Sequence, residues 1–122
     1  MCNNAAIATE VKKGLSLRIH DTPTDNYDRT HAINQPAVWL GCKYTVGQML
    51  TQEPRASNAR GDRIRGWIIN TASMLGSIGL ANGPCYVPVK HAVIGIARQV
   101  AIDYAKDRIQ CNALCPGLLR VP

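Results

Sequence analysis

The chain has 122 residues, room for one domain with a modest core, and its 46% apolar content is that of a globular protein rather than a disordered one. No apolar run approaches the roughly 18 residues that a membrane-spanning helix needs. The formal net charge is +6, but the densest basic stretch, Arg55 to Arg65, has no interleaved aromatic residue, so it reads as a solvated loop and not as a nucleic-acid platform.

From the start of the chain, MCNNAA is expected to be the end of a strand followed by a turn, because Asn3 and Asn4 can hydrogen-bond neighbouring backbone and hold a tight bend. Ile7 to Asp25 has no clean period, and Pro23, Thr24 and Asp25 punctuate it as a loop; Thr22 or Thr24 could cap the helix that follows. From Tyr27 to Leu50 the apolar residues recur at helical spacing (Ala32, Ile33, Ala37, Val38, Leu40, Val46, Met49 and Leu50). Pro36 removes one backbone donor from this stretch and predicts a kink or a break near Asn34. Thr51 to Gly66, polar and arginine-rich, reads as a long loop.

The unbroken apolar start of Trp67 to Thr71 predicts a buried parallel strand. After Ser73 comes a glycine-rich segment, Gly76 to Gly83, and then a second helix, Tyr86 to Tyr104, with Pro88 near its start where a missing N–H is tolerated. Ala92, Val93, Ile96, Ala97, Val100 and Ala101 form its apolar face, while Ile94 and Ile102 on the far side suit a helix that also packs on a partner. Ile109 to Leu114 is a last strand, and Cys115, Pro116 and Gly117 turn out of its carboxyl end.

Chemistry concentrates between Ser73 and Lys90. Tyr86 and Lys90 are four residues apart and share one helix face. An ammonium beside a phenol favours phenolate and brings the hydroxyl toward the range of a general acid/base. Ser73, at the end of the strand, could hold a carbonyl oxygen while Tyr86 gives or takes its proton. The five cysteines show no C-x-x-C spacing and the three histidines stand far apart, so no metal site is expected and the thiols read as reduced. MCNNAAIATEVKK lacks a basic-then-apolar signal pattern, which predicts a cytoplasmic location with no membrane partner.

With these residues the chain resembles the short-chain dehydrogenase/reductase family. Asn3-Asn4-Ala5, Asn34, Ser73, Tyr86/Lys90 and Pro116-Gly117 follow the family's order, the Ser73 to Tyr86 spacing is its usual one, and the wording of HDTPTDNYDR, WLGCKY and INTAS also fits. Ala6 stands where the family has a glycine, and Pro88 and Val89 where it has a small residue and a serine. The resemblance implies an incomplete, partial Rossmann-like domain over residues 1–122, with a doubly wound parallel sheet in α/β/α layers. It implies NAD or NADP as cofactor and hydride exchange with a small alcohol or ketone. Tyr86 would be the proton donor and acceptor, Lys90 its activator, Ser73 the carbonyl holder and Asn34 the anchor of a water leading to the lysine. Asn4, Tyr86, Lys90, Pro116 and Gly117 would lie against the nicotinamide side of the cofactor. The two central helices would associate with a second copy.

The family's Thr-Gly-x-x-x-Gly-x-Gly turn, which cradles the pyrophosphate at a helix N-terminus, is not in these 122 residues. The run from Gly76 to Gly83 lies after Ser73 and is not that loop. Two expectations therefore stand together. One is the catalytic middle of a reductase with little activity alone; the other is a non-enzymatic module whose useful surfaces are its helices.

Overall fold

In the computed structural model, which describes residues 1–9, 17–58 and 61–118, three strands lie parallel. They are β1 (Cys2–Asn3), β4 (Gly66–Thr71) and β5 (Ile109–Leu114), in the order β1-β4-β5. Helix α1 (Thr24–Leu50) leads from β1 toward β4, and α2 (Tyr86–Asp103) joins β4 to β5. Register is set by pairs such as Asn3 with Asn70 and Thr71 with Leu114, so the carboxyl ends of the strands emerge on one edge. Residues 10–16 of the loop expected over Ile7 to Asp25, and residues 59–60 of the basic stretch, lie outside the described residues.

One face of the sheet carries the core. Ile68 and Asn70 of β4 and Ile109 and Cys111 of β5 point toward Val38, Cys42 and Val46 of α1 and Val93, Ile94 and Ala97 of α2. Burying one such aliphatic side chain stabilises the fold by about 1.5–3 kcal/mol. On the other face Trp67 is 48% and Ile69 42% exposed. The expected buried strand is thus covered on one side only, its apolar run read by alternation: odd residues open, even residues in the core. The described residues supply the sheet and one helical layer of the α/β architecture.

Four local expectations are corrected. Ile94, expected on the far side of the second helix, lies in the core beside Val93 and Ala97. Pro36 does not divide the first helix, which runs through it. Its missing donor is the one that would reach Ala32 four residues back, and the surrounding turns keep their own bonds. Neither threonine caps α1: Pro23 occupies the N-cap without a side-chain bond, and the Thr22 hydroxyl donates instead to the Arg18 carbonyl at 3.0 Å. The loop from Thr51 to Gly66 contains a short antiparallel ribbon, β2 (Arg55–Ala56) with β3 (Arg63–Ile64). Two of its arginines serve backbone carbonyls. Arg63 donates to Pro54, and Arg65 donates to Leu50 and Gln52 at the carboxyl end of α1, where a cation meets the negative pole of the helix.

Candidate active site

The candidate residues gather at the carboxyl edge of the sheet. Past β4 the chain turns at Ser73, whose hydroxyl accepts from the Leu75 N–H at 3.2 Å and caps the 3₁₀ turn Met74–Gly76. That turn is pressed onto α2. A Cβ on Gly76 would lie 2.6 Å from the Lys90 carbonyl oxygen and 2.7 Å from Ile94, so only glycine permits this approach and keeps Ser73 beside the helix. From the other side, the Met74 N–H donates to the Pro116 carbonyl at 2.9 Å, which ties the Pro116-Gly117 turn to the same edge. Asn4 stands exposed just beyond the end of β1 on that edge.

Tyr86 opens α2 and Lys90 follows one turn later, as their spacing predicts. Lys90 is only 3% exposed. Its ammonium donates to the Thr71 carbonyl at 2.9 Å and lies 5.4 Å from the centroid of the Tyr86 ring. Burial lowers the Lys90 pKa from its ordinary value, and the charge interaction with nearby Cys115 opposes that shift. The geometry thus fixes a desolvated cation against a phenol ring, where its influence is least screened by water.

This burial has a stability signature. The unfolded chain binds the Lys90 proton more tightly than the folded one, so folding gains stability as pH rises from the lowered pKa toward 10.5. Relative to Lys90→Met, the wild-type chain should become progressively more stable as pH rises from the lowered pKa of Lys90 to ~10.5. Urea midpoints of the two proteins measured across that range check it; a constant difference would show that the lysine is not desolvated.

Asn34 is 2% exposed, and its side chain grips the segment that follows β1. Its Oδ1 accepts from the Ile7 N–H at 2.8 Å, and its Nδ2 donates to the Ile7 carbonyl at 2.7 Å. One turn earlier on the same face, the Thr30 hydroxyl meets that of Thr9 at 2.7 Å. The amide of Asn34 therefore replaces a strand partner for Ile7. Asn34→Ala should lower stability by about 2–3 kcal/mol, since two bonds vanish and a backbone pair is left unsatisfied; a urea midpoint unchanged from wild type would refute this.

Sequence reasoning missed Thr71, Gly76 and Ile7 as supports of the site. A lysine in line with Val93, Ile94 and Ala97 along one helix face was the available signal that Lys90 is buried and needs a carbonyl partner. Nothing in the sequence distinguishes Gly76 from Gly79 or Gly83, since only the packing of the turn on α2 does so.

A family model described as enoyl-(acyl carrier protein) reductase matches residues 1–122. The chain is 32% identical over 122 residues to 2-(R)-hydroxypropyl-CoM dehydrogenase of Xanthobacter autotrophicus, covering 100% of this chain and 43% of that protein. It is 35% identical over 120 residues to 2,5-dichloro-2,5-cyclohexadiene-1,4-diol dehydrogenase of Sphingobium indicum, covering 98% and 42%. The chain thus spans about two fifths of the length of these curated relatives. Among solved structures, ElxO with NADP bound superposes with a TM-score of 0.77 at 28% identity, covering 98% of this chain and 42% of that one.

Proposed function

The chain belongs to the short-chain dehydrogenase/reductase family, and on that premise we propose that residues 1–122 carry the proton-transfer portion of an NAD(P)-dependent oxidoreductase acting on secondary alcohols or ketones. The observation that carries this reading is the buried Lys90 ammonium, held by Thr71 and set beside the Tyr86 ring. Such a cation stabilises phenolate, so Tyr86 can take the alcohol proton in one direction and return it in the other. Ser73, held at the strand end by its bond to Leu75, offers its hydroxyl hydrogen to the substrate oxygen. Asn34 anchors, through its backbone carbonyl, a water that leads protons to Lys90.

The residues fit the nicotinamide side of a dinucleotide. Lys90 uses one donor on Thr71 and keeps the others for ribose hydroxyls, while Asn4, Pro116 and Gly117 border the same edge. Bound there, the cofactor supplies or accepts the hydride. Incubating the protein with NAD⁺ or NADP⁺ and a panel of secondary alcohols, with ketone product detected by mass spectrometry, tests the reading. Because little turnover is expected of these residues alone, the Tyr86→Phe protein is run beside the wild type, and equal product from the two would overturn it.

A second reading, association through the helices, is favoured by the open face of α1 and α2. Trp39 is 51% exposed beside Leu40 and Tyr44, and the Lys43 ammonium lies 5.4 Å from the Trp39 ring and 5.6 Å from that of Tyr44. A groove of about 520 Å³ separates the helices, lined by Trp39, Val46, Ile96 and Tyr104 among others. A second copy of the chain seated on this face would cover an apolar surface unusual for a monomer. Light scattering should give at least a dimer, and Trp39→Glu should return it to monomer; a monomeric wild type at high concentration would exclude this assembly.

A further inference from the structure

Beneath the helices lies a group of polar side chains that the dehydrogenase reading does not use. Cys42 of α1 and Cys111 of β5 are 2% and 5% exposed. Between them the Asn70 amide, wholly buried, donates to the Cys42 sulfur at 3.4 Å and to the Cys111 sulfur at 3.6 Å. Asn3 completes the set, its Nδ2 donating to the Asn70 Oδ1 at 2.8 Å and toward the Cys42 sulfur at 3.9 Å. A Cβ on Gly41 would lie 2.4 Å from the Asn3 Oδ1, so glycine lets α1 settle onto this group. One amide nitrogen thus lies within 3.6 Å of two sulfurs, on a helix and a strand far apart in sequence.

We propose that Cys42 and Cys111 form a peroxide-reactive dithiol that closes to a disulfide, with Cys42 as the attacking sulfur and Cys111 as the resolving one.

Three observations assign the roles. Cys42, not Cys111, borders the groove between α1 and α2, which gives a small oxidant a path to its sulfur. The thiolate is the nucleophilic form, and the neighbouring Cys111 and Asn70 hold the Cys42 pKa below its ordinary value against the opposing effect of burial. Cys111, beside Cys42 and buried, is shifted upward and keeps its proton. The Cys42 thiolate attacks one oxygen of hydrogen peroxide: an S–O bond forms, the O–O bond breaks, and the released hydroxide takes up the proton that Cys42 had lost. The sulfur, now a sulfenic acid, has given up two electrons. Cys111 then attacks it, forming S–S and breaking S–O, and the leaving hydroxide takes the Cys111 proton. Two thiols and one peroxide become one disulfide and two waters.

The order of reaction among the five cysteines makes the test. By exposure alone, Cys2 and Cys115 should be oxidised first, since both are open to solvent. Dilute protein is treated with hydrogen peroxide, quenched with an alkylating agent in denaturant, digested and mapped by mass spectrometry. The expected product is a Cys42–Cys111 link, two hydrogens lighter than the paired peptides, formed before Cys2 or Cys115 is modified. Trypsin leaves Cys111 and Cys115 on one peptide, so the link must persist in Cys115→Ser. In Cys111→Val it should vanish, leaving a Cys42 sulfenic acid that dimedone traps. Oxidation of Cys2 and Cys115 while Cys42 and Cys111 remain thiols in the wild-type protein would overturn the proposal, as would a link that disappears in Cys115→Ser. None of these readouts depends on dehydrogenase activity.

Discussion

Titrated with NADH or NADPH, the 122-residue polypeptide is expected to bind with a dissociation constant of about 1 mM or weaker, roughly −4 kcal/mol. On the proposed reading, the contacts this chain offers are those of Asn4, Lys90, Pro116 and Gly117, all at the nicotinamide end. Pyrophosphate is normally held by backbone N–H groups of a glycine-rich turn and by the positive end of a helix. The 122 residues contain no such turn: the run from Gly76 to Gly83 has another task, packing Gly76 against Lys90 and Ile94 and holding Ser73 in place. Without the anchoring contacts, the nicotinamide carbon is not held against the substrate, a positioning effect worth about 7–11 kcal/mol in favourable cases. Calorimetry and the fluorescence of the reduced cofactor both measure this. Micromolar binding of either cofactor to the 122-residue chain would contradict it.

The order of strands and helices and the Tyr86/Lys90 pair were legible in the sequence because each rests on a local regularity. Helical spacing located α2 from its first residue, and a short apolar run located β4. Where the sequence misled, tertiary contacts decided. Trp67 and Ile69 look as buried as Ile68, yet they fall on the strand face that these residues leave open. Pro36 looks like a break, yet the helix continues around it, with Thr30 and Asn34 on one side bonded to residues 7–9 and Val38, Cys42 and Val46 in the core. Packing along the whole helix outweighs the single backbone bond that proline removes. The Cys42, Cys111, Asn70 and Asn3 group was not legible at all. Its members come from one helix and three strands, and only the register of β1, β4 and β5 brings them together.

Replacing Tyr86 by phenylalanine is expected to reduce kcat/KM for alcohol oxidation by about 100- to 10,000-fold, the range for losing a positioned general acid/base. The comparison survives weak cofactor binding. With dinucleotide far below saturation, both proteins are limited by the same free-enzyme state, so the ratio of their rates reports only the lost transition-state interaction. Phenylalanine keeps the ring that lies 5.4 Å from the Lys90 ammonium, so the cation retains its aromatic neighbour and its bond to Thr71. The setting of the cation should therefore be unchanged, and the residual nicotinamide affinity should be unchanged as well. What is removed is the one hydroxyl whose proton the buried lysine can make exchangeable. Product accumulation measured over long incubations at high protein concentration resolves a difference of this size even for a slow enzyme. Equal accumulation by the wild-type and Tyr86→Phe proteins would mean that the phenol does not carry the proton, and the assignment of Lys90 as its activator would fall with it.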